Sequence, residues 1–226
     1  MHRLIMLSAL AAGLVSTPVW AAWIQGSVAL KADNKALRGA AAQEVVVYFR
    51  PVQPVKAIAA EKPFEMKMYR KQFLPRALPI TVGSSVTFPN DDIILHNAFS
   101  VSPENRFDAS LYGQGETFTQ RFERPGLVKV YCNVHHSMVG NILVLDTPYF
   151  TRPDNQGRFS LEDLPNGAGE LLLWHERARL TRRPMTLPLA ADGPMLSVTI
   201  DLTVRRLPPH QNKFGQGYRR VRDTRY

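Results

Sequence analysis

Apolar residues along this chain fall into short runs separated by turn residues. Val45-Val-Val-Tyr-Phe49, Ile142-Leu-Val-Leu145 and Leu171-Leu-Leu-Trp174 are continuous apolar runs too short for helices, the pattern of buried-type strands. Leu127-Val-Lys-Val-Tyr131 reads as another strand. Residues 196–204 alternate cleanly. Leu196, Val198, Ile200, Leu202 and Val204 take one face, and Ser197, Thr199, Asp201 and Thr203 the other, which predicts a half-buried strand. Asn155-Gln-Gly157 and Pro165-Asn-Gly167 mark turns. Only Val55–Glu61 carries a weak helical pattern, and Pro63 stops it. The expected fold class is therefore all-β.

Composition adds scale and compartment. The 226 residues are 45% hydrophobic, enough for one large or two small domains with a real core. Residues 1–21 read as a secretory signal: a polar start at His2-Arg3, an apolar stretch from Leu4 to Val15, and a small-residue exit at Val19-Trp-Ala21. The apolar stretch is too short to cross a bilayer comfortably, and no other segment of the chain could span one. The mature chain is expected in the periplasm or secreted, an oxidising setting. With the signal removed, 27 basic side chains stand against 19 acidic ones. Much of that excess lies in residues 205–226, where seven Lys and Arg meet only Asp223. With Pro208-Pro209, this stretch reads as a disordered basic tail. It would either attach to an acidic partner or an anionic surface or simply stay solvated. Nucleic acid is a poor partner, because base-stacking motifs are absent and the compartment is wrong.

The chemistry concentrates in residues 131–138, Tyr-Cys-Asn-Val-His-His-Ser-Met. Cys132 is the only cysteine, so it forms no internal disulfide and its presence needs another reason. Cys132, His135 and Met138 form Cys-x2-His-x2-Met, and Phe88-Pro-Asn-Asp-Asp-Ile-Ile-Leu-His96-Asn97 supplies a second histidine upstream. One thiolate, two imidazoles and one thioether are the ligand set of a blue-copper site. The plainer alternative is a buried free cysteine with Met138 filling the core, which explains neither the spacing nor the His-Asn pair. His136 is either a surface histidine beside the site or a further metal contact or proton-linked tuner. Met66 and Met68 read as core residues, with delivery of Cu(I) as the sharper option. His175 and His210 stand alone in sequence.

These residues resemble the cupredoxins, the plastocyanin-like family, and the short ligand loop is closest to the amicyanin branch. The likeness also includes Phe73-Leu-Pro, Ile80-Thr-Val-Gly83-Ser-Ser-Val86-Thr-Phe88-Pro-Asn90-Asp91, Phe107-Asp-Ala-Ser-Leu-Tyr112 and Val130-Tyr131-Cys132. It implies His96, Cys132, His135 and Met138 as ligands of one type 1 copper, on a Greek-key β-sandwich over 64–146. It also implies that Asn97 hydrogen-bonds near the sulfur and ties the two ligand segments together, with His136 beside the site. Residues 147–204 resemble the carboxypeptidase-regulatory-like, transthyretin-like sandwich, through Asp154-Asn-Gln-Gly157-Arg-Phe159. That module's opening hairpin has its counterpart in Gly26-Ser-Val28 and Val45-Val-Val. The expected organisation is a signal at 1–21, opening strands of the second sandwich at 22–63, the copper region at 64–146 inserted into it, the rest of that sandwich at 147–204, and the tail at 205–226. The whole chain further resembles secreted methylamine-utilisation proteins. The expected function is one-electron transfer with a redox protein, and the alternative is a non-redox copper-binding, sensing or docking protein. A copper enzyme resembling nitrite reductases or multicopper oxidases would need a histidine beside the cysteine, where this chain has Tyr131 and Asn133.

Overall fold

The computed structural model describes residues 22–37, 39–178, 180–187, 195–202, 210, 212–214 and 216. The expected signal, 1–21, lies outside them. The chain opens with β1 (Ala22–Ala32), β2 (Lys35–Ala36) and β3 (Val46–Pro51), with a 3-10 turn at Gly39–Glu44. The middle holds β4 (Phe64–Glu65), β5 (Lys67–Tyr69), β6 (Gln72–Leu74), β7 (Ala77–Thr81), β8 (Ser85–Pro89), β9 (Phe99–Ser100), β10 (Phe107–Asp108), β11 (Thr117–Arg121), β12 (Gly126–Tyr131) and β13 (Val139–Leu145). The last strands are β14 (Phe150–Thr151), β15 (Arg158–Leu164), β16 (Gly167–Trp174), β17 (Thr181–Leu187) and β18 (Met195–Asp201). The fold is all-β: no α-helix occurs among the described residues, and no helix is long and apolar enough to cross a membrane.

The strands pair within two sets. In the first, β1 lies between β15 and β18, and a second sheet runs β14-β3-β16-β17. In the other, a five-stranded sheet runs β10-β9-β12-β13-β7, facing β11-β8-β4 and the β5-β6 hairpin. Among the described residues no strand before Pro51 is hydrogen-bonded to a strand between Phe64 and Leu145. Each set closes on its own core. Ile24, Val28, Val47, Phe49, Phe159, Leu171 and Ile200 fill the first, and Phe73, Ile80, Phe88, Phe122, Val130 and Ile142 the second. Gly26 sits in β1 because its register partner Phe159 lays its ring there. A Cβ on Gly26 would meet that ring at 2.8 Å and the Leu196 carbonyl at 2.7 Å, closer than side-chain carbons approach.

A third apolar cluster joins the two sets. Val46, Tyr48 and Leu172 of the β3–β16 sheet pack on Ala77, Leu143 and Leu145 of the β7–β13 sheet. Successive side chains of a strand point to opposite faces. So Val45, Val47 and Phe49 enter the first core while Val46 and Tyr48 enter the seam. β16 divides in the same way, with Leu171 and Leu173 on one side and Leu172 on the other. In β13, Ile142 and Val144 line the second core, and Leu143 and Leu145 the seam. These are the three continuous apolar runs of the sequence, and they are continuous because both faces are buried.

The alternating stretch forms β18 as far as Asp201, with Val198 and Ile200 buried and Ser197, Thr199 and Asp201 exposed; Leu202 follows, also buried, and 203–204 lie outside the described residues. The helical expectation for Val55–Glu61 fails, since this stretch has no regular structure. Its backbone polar groups are used sideways. Ala60 N donates to Ser84 Oγ (2.9 Å), and Ile58 O accepts from Thr81 Oγ1 (2.8 Å). Those bonds hold the segment against the β7–β8 turn, and a helix would withdraw the same groups.

Leu172 is fully buried in the seam, so Leu172→Ala is expected to cost about 2–5 kcal/mol in chemical denaturation. Ile58→Ala, at a position 75% exposed, is expected to cost within about 0.5 kcal/mol. Equal effects from the two substitutions would show that the seam contributes little.

Candidate metal centre

The ligand loop is short and clamped at both ends. β12 and β13 pair antiparallel from Gly126↔Val144 to Tyr131↔Val139, so residues 132–138 bridge two neighbouring strands. Inside the loop Met138 N donates to His135 O (2.9 Å) and Cys132 N to Met138 O (3.4 Å). Gly140 follows because Met66 and Phe73 crowd it. A Cβ there would meet Met66 Sδ at 2.9 Å and Phe73 Cβ at 3.1 Å. Met66 and Met68 are themselves fully buried in this core.

His96 arrives on a separate segment, which buried Asn90 holds. Asn90 Nδ2 donates to the carbonyls of Ile94 and Tyr112, both at 3.0 Å, and its Oδ1 accepts from Asp92 N (3.0 Å). His96 and Tyr112 exchange two backbone hydrogen bonds, at 3.2 and 2.9 Å, and the Tyr112 hydroxyl donates to Phe88 O (2.8 Å). Burial pushes that phenol well above its ordinary pKa, so it remains a donor at every physiological pH.

Three of the expected ligands converge. One ligand atom each from His96, Cys132 and His135 lie within 4.8 Å of one another. His96 Nδ1 is 3.7 Å from Cys132 Sγ and 3.1 Å from His135 Nδ1. His96 and Cys132 are fully buried, while His135 keeps an exposed edge. Met138 is fully buried in the same core cluster as Cys132. Burial lowers the proton affinity of His135, and the His96 ring and Lys71 lower it further. A neutral imidazole offers the lone pair that a metal requires. His136 stands outside the converging trio; it is exposed, with its ring 6.4 Å from that of His210.

Asp92 is a site residue that the sequence reading missed. Its Oδ2 lies 2.8 Å from His96 Nε2. A carboxylate accepts, so Nε2 carries the proton and the lone pair of Nδ1 is directed at the cluster. The same carboxylate accepts the backbone N–H groups of Arg70 (2.7 Å) and Lys71 (2.8 Å) in the β5–β6 turn, where both residues have positive φ, 51° and 56°. Partial burial works to raise the Asp92 pKa, but the Lys71 N–H, His96 and the Arg70 N–H outweigh it and hold the carboxyl below its usual range. The available signal was its place four residues before His96, in an Asn-Asp-Asp turn that aims a carboxylate back along the segment.

Asn97 ties the ligand segments together, its Oδ1 accepting from Asn133 N at 2.7 Å. Its Nδ2 reaches Asp108 Oδ1 at 3.4 Å, and Asp108 leads to the tail. Lys213 Nζ donates to Asp108 Oδ2 (2.7 Å). His210, 8% exposed, stacks on the Tyr131 ring with centroids 4.3 Å apart and planes at 13°. A flat aromatic surface and a carboxylate on the β-sandwich hold these residues; most of 205–226, the stretch read as a disordered tail, lies outside the described residues. His175 has a local role, with Nδ1 accepting from Arg177 N and Nε2 3.7 Å from Glu44.

No protein-family model and no curated protein matches the chain. Solved structures do. A purple cupredoxin from Nitrosopumilus maritimus is 28% identical over 36% of this chain and 99% of its own, with a TM-score of 0.33. A reduced amicyanin variant is 18% identical over 44% of this chain and 98% of its own, with a TM-score of 0.36. A Cu-containing nitrite reductase from Thermus scotoductus SA-01 is 29% identical over 42% of this chain, which spans 26% of the length of that enzyme, with a TM-score of 0.36. The structural neighbours are cupredoxins.

Asp92→Ala is expected to weaken metal binding about 10–100-fold, and to free the β5–β6 turn. Competition against a chelator reads the first effect and amide exchange at Arg70 and Lys71 the second. Unchanged affinity would mean that Asp92 only caps the turn.

The tail contact carries a pH dependence. Burial tends to raise the Asp108 pKa, but Lys213 and the Ser110 N–H outweigh it and hold the group below its ordinary value. A depressed carboxyl contributes stability above its unfolded value of about 3.9 and loses it as pH falls through the folded value. The ring-current shifts that His210 imposes on Tyr131 should therefore hold down to about pH 4 and fade below it. Shifts that persist at pH 2 would show that the tail docks without this ion pair.

Proposed function

We propose that residues 64–146 hold one type 1 copper through His96, Cys132, His135 and Met138, and that the protein carries single electrons in the periplasm or outside the cell. The observation that carries this reading is the buried convergence of two imidazole nitrogens and the single thiol, beside a fully buried methionine. The donor set fits the metal: thiolate and thioether are soft ligands and imidazole suits copper, so His96, Cys132, His135 and Met138 would hold it. Copper bound there would supply one-electron redox chemistry.

The residues of the chain do the rest. Paired strands fix both ends of the 132–138 loop, so the ligands keep their places and little reorganises when charge changes. Asp92 holds His96 in one tautomer, and Asn97 holds the loop against the His96 segment. Burial of Cys132, Met138 and His96 keeps water away from the sulfur. His135 alone reaches the surface. The segments bearing the proposed ligands also present Ile93, Leu95 and Val134 to solvent, and the neighbouring stretch presents Leu111, an apolar margin suited to a redox protein that docks briefly over the exposed imidazole edge.

We also read the flanks as one transthyretin-like sandwich with the metal region inserted in it. The pairing of β1 with β15 and β18, and of β3 with β14 and β16, supports that reading.

The optical spectrum of the copper-loaded, oxidised protein tests the proposal. Thiolate-to-copper charge transfer should give an intense visible band, abolished in Cys132→Ser. Met138→Gln should retain the copper and lower the midpoint potential, because a harder oxygen donor favours Cu(II). A protein that binds one Cu(II) and stays colourless would overturn the type 1 assignment, and a non-redox copper-binding role would take its place.

A further inference from the structure

A cleft of about 480 Å3 opens where the two sandwiches meet beside the ligand loop. Its walls include the β5–β6 turn with Arg70 and Lys71, then Arg76, then Arg152 and Glu44 from the first sandwich, and Ser137 of the ligand loop. We propose that this cleft is a binding site for a small divalent oxyanion of the sulfate or phosphate class, held chiefly by Arg152 and Lys71.

The charges are unbalanced and the carboxylates are already committed. Glu176 takes Arg76, whose Nε and Nη2 donate to it at 3.2 and 3.0 Å. Glu44 sits against His175, which holds its carboxyl below the usual range against the upward pull of burial. Asp92, behind the turn, accepts backbone N–H groups and His96. The Arg70 guanidinium lies over the Tyr69 ring at 5.2 Å. Arg152 commits only its Nε, to Gln43 O at 2.8 Å. It is half-buried, and burial disfavours its charge while Glu44 favours it. A guanidinium drawn out of water without a carboxylate in contact carries a desolvation cost that an anion offsets. The planar fork suits two oxygens of one tetrahedral ion, and Lys71, on the β5–β6 turn that also lines the cleft, supplies a second charge. The recess favours a free ion over the side chain of a large partner.

The cleft shares its walls with the metal centre. Ser137 and Val139 of its lining flank Met138. The Arg70–Lys71 turn rests on the same carboxylate that holds His96 Nε2. An anion in the cleft thus places negative charge beside the ligand loop and favours the more positive metal state. This consequence, unlike the binding itself, rests on the copper reading.

Titration calorimetry on the metal-free, full-length mature chain tests the binding, with sodium sulfate and sodium phosphate as ligands at constant ionic strength set with chloride. Saturable binding of one ion is expected, weakened about tenfold or more in Arg152→Gln and in Lys71→Gln, and unchanged in Arg121→Gln. Binding that does not saturate, or that both cleft variants retain at wild-type strength, overturns the site. Lys71 has its side chain at the surface of a turn, so Lys71→Gln decides the matter if Arg152→Gln fails to fold. In the copper-loaded protein, sulfate should lower the midpoint potential in wild type and not in Lys71→Gln. A chain that takes up sulfate but shows no copper band retains the anion site and loses the copper reading; a blue protein that ignores sulfate does the reverse.

Discussion

Three strands, β3, β13 and β16, are buried on both faces, and the rest of the molecule is arranged around that constraint. A strand with one wet face can tolerate a polar residue at every second position. These strands cannot, because one face fills a sandwich core and the other fills the seam of Val46, Tyr48, Leu172, Ala77, Leu143 and Leu145. The seam joins the two sandwiches through sheet faces and so leaves their loop ends open. β13 leaves the 132–138 loop directly, so one face of the strand that anchors the candidate ligands is packed against the second sandwich. A β-sandwich of this size would ordinarily leave that face to solvent; here the second sandwich stiffens the floor of the site.

Against that floor, the site is assembled by polar groups acting at short range. Asp92 joins three things: its carboxylate holds a turn of two residues with positive φ and a histidine tautomer, and its backbone N–H donates to the Asn90 side chain. Asn97 does the equivalent work on the other side, reaching Asn133 and Asp108. Each of these side chains is held by backbone or by a partner that is itself held, and a metal site needs that precision. The described residues of the C-terminal stretch belong to the same frame. Through Lys213 and Asp108 they meet Asn97, and through His210 they cover Tyr131, the residue before Cys132.

Much of this was legible in the sequence, for identifiable reasons. The ligand trio could be read because residue type and spacing are both restrictive, and because a single cysteine in a chain read as secreted demands an explanation. The apolar runs could be read as strands because their length excludes helices. What they bury against could not: a run buried on both faces looks the same whether the second face meets a helix, a sheet or another domain. Val55–Glu61 misled because local helical preference is weak beside the hydrogen bonds that Thr81 and Ser84 offer. Asp92 and the tail were missed for a shared reason. Asp92 stands four residues before His96, but its hold on the Arg70–Lys71 turn, like the contact of His210 with Tyr131, joins residues distant in sequence and has no local pattern. The tail looked disordered because its composition is basic and its strand pattern absent; composition does not record that Asp108 and Tyr131 offer it a place to dock.

The surviving asymmetry of the site is between its closed and open sides. His96, Cys132 and Met138 are sealed in the core, Tyr131 is covered by His210, and the seam closes the floor. His135 remains as the exposed edge, among apolar side chains on the ligand-bearing segments. In the proposed electron-transfer role, an encounter over His135 would bring a partner nearer to the cluster than any approach through the covered faces. The basic cleft lies to one side of that edge, on the walls that hold His96 and Met138. The proposed partner edge and the proposed ion cleft are therefore separated in space, yet both adjoin the same few candidate ligands. A chain with only the metal-binding sandwich would have the first of these features and not the second, because Arg152 and Glu44 come from outside it.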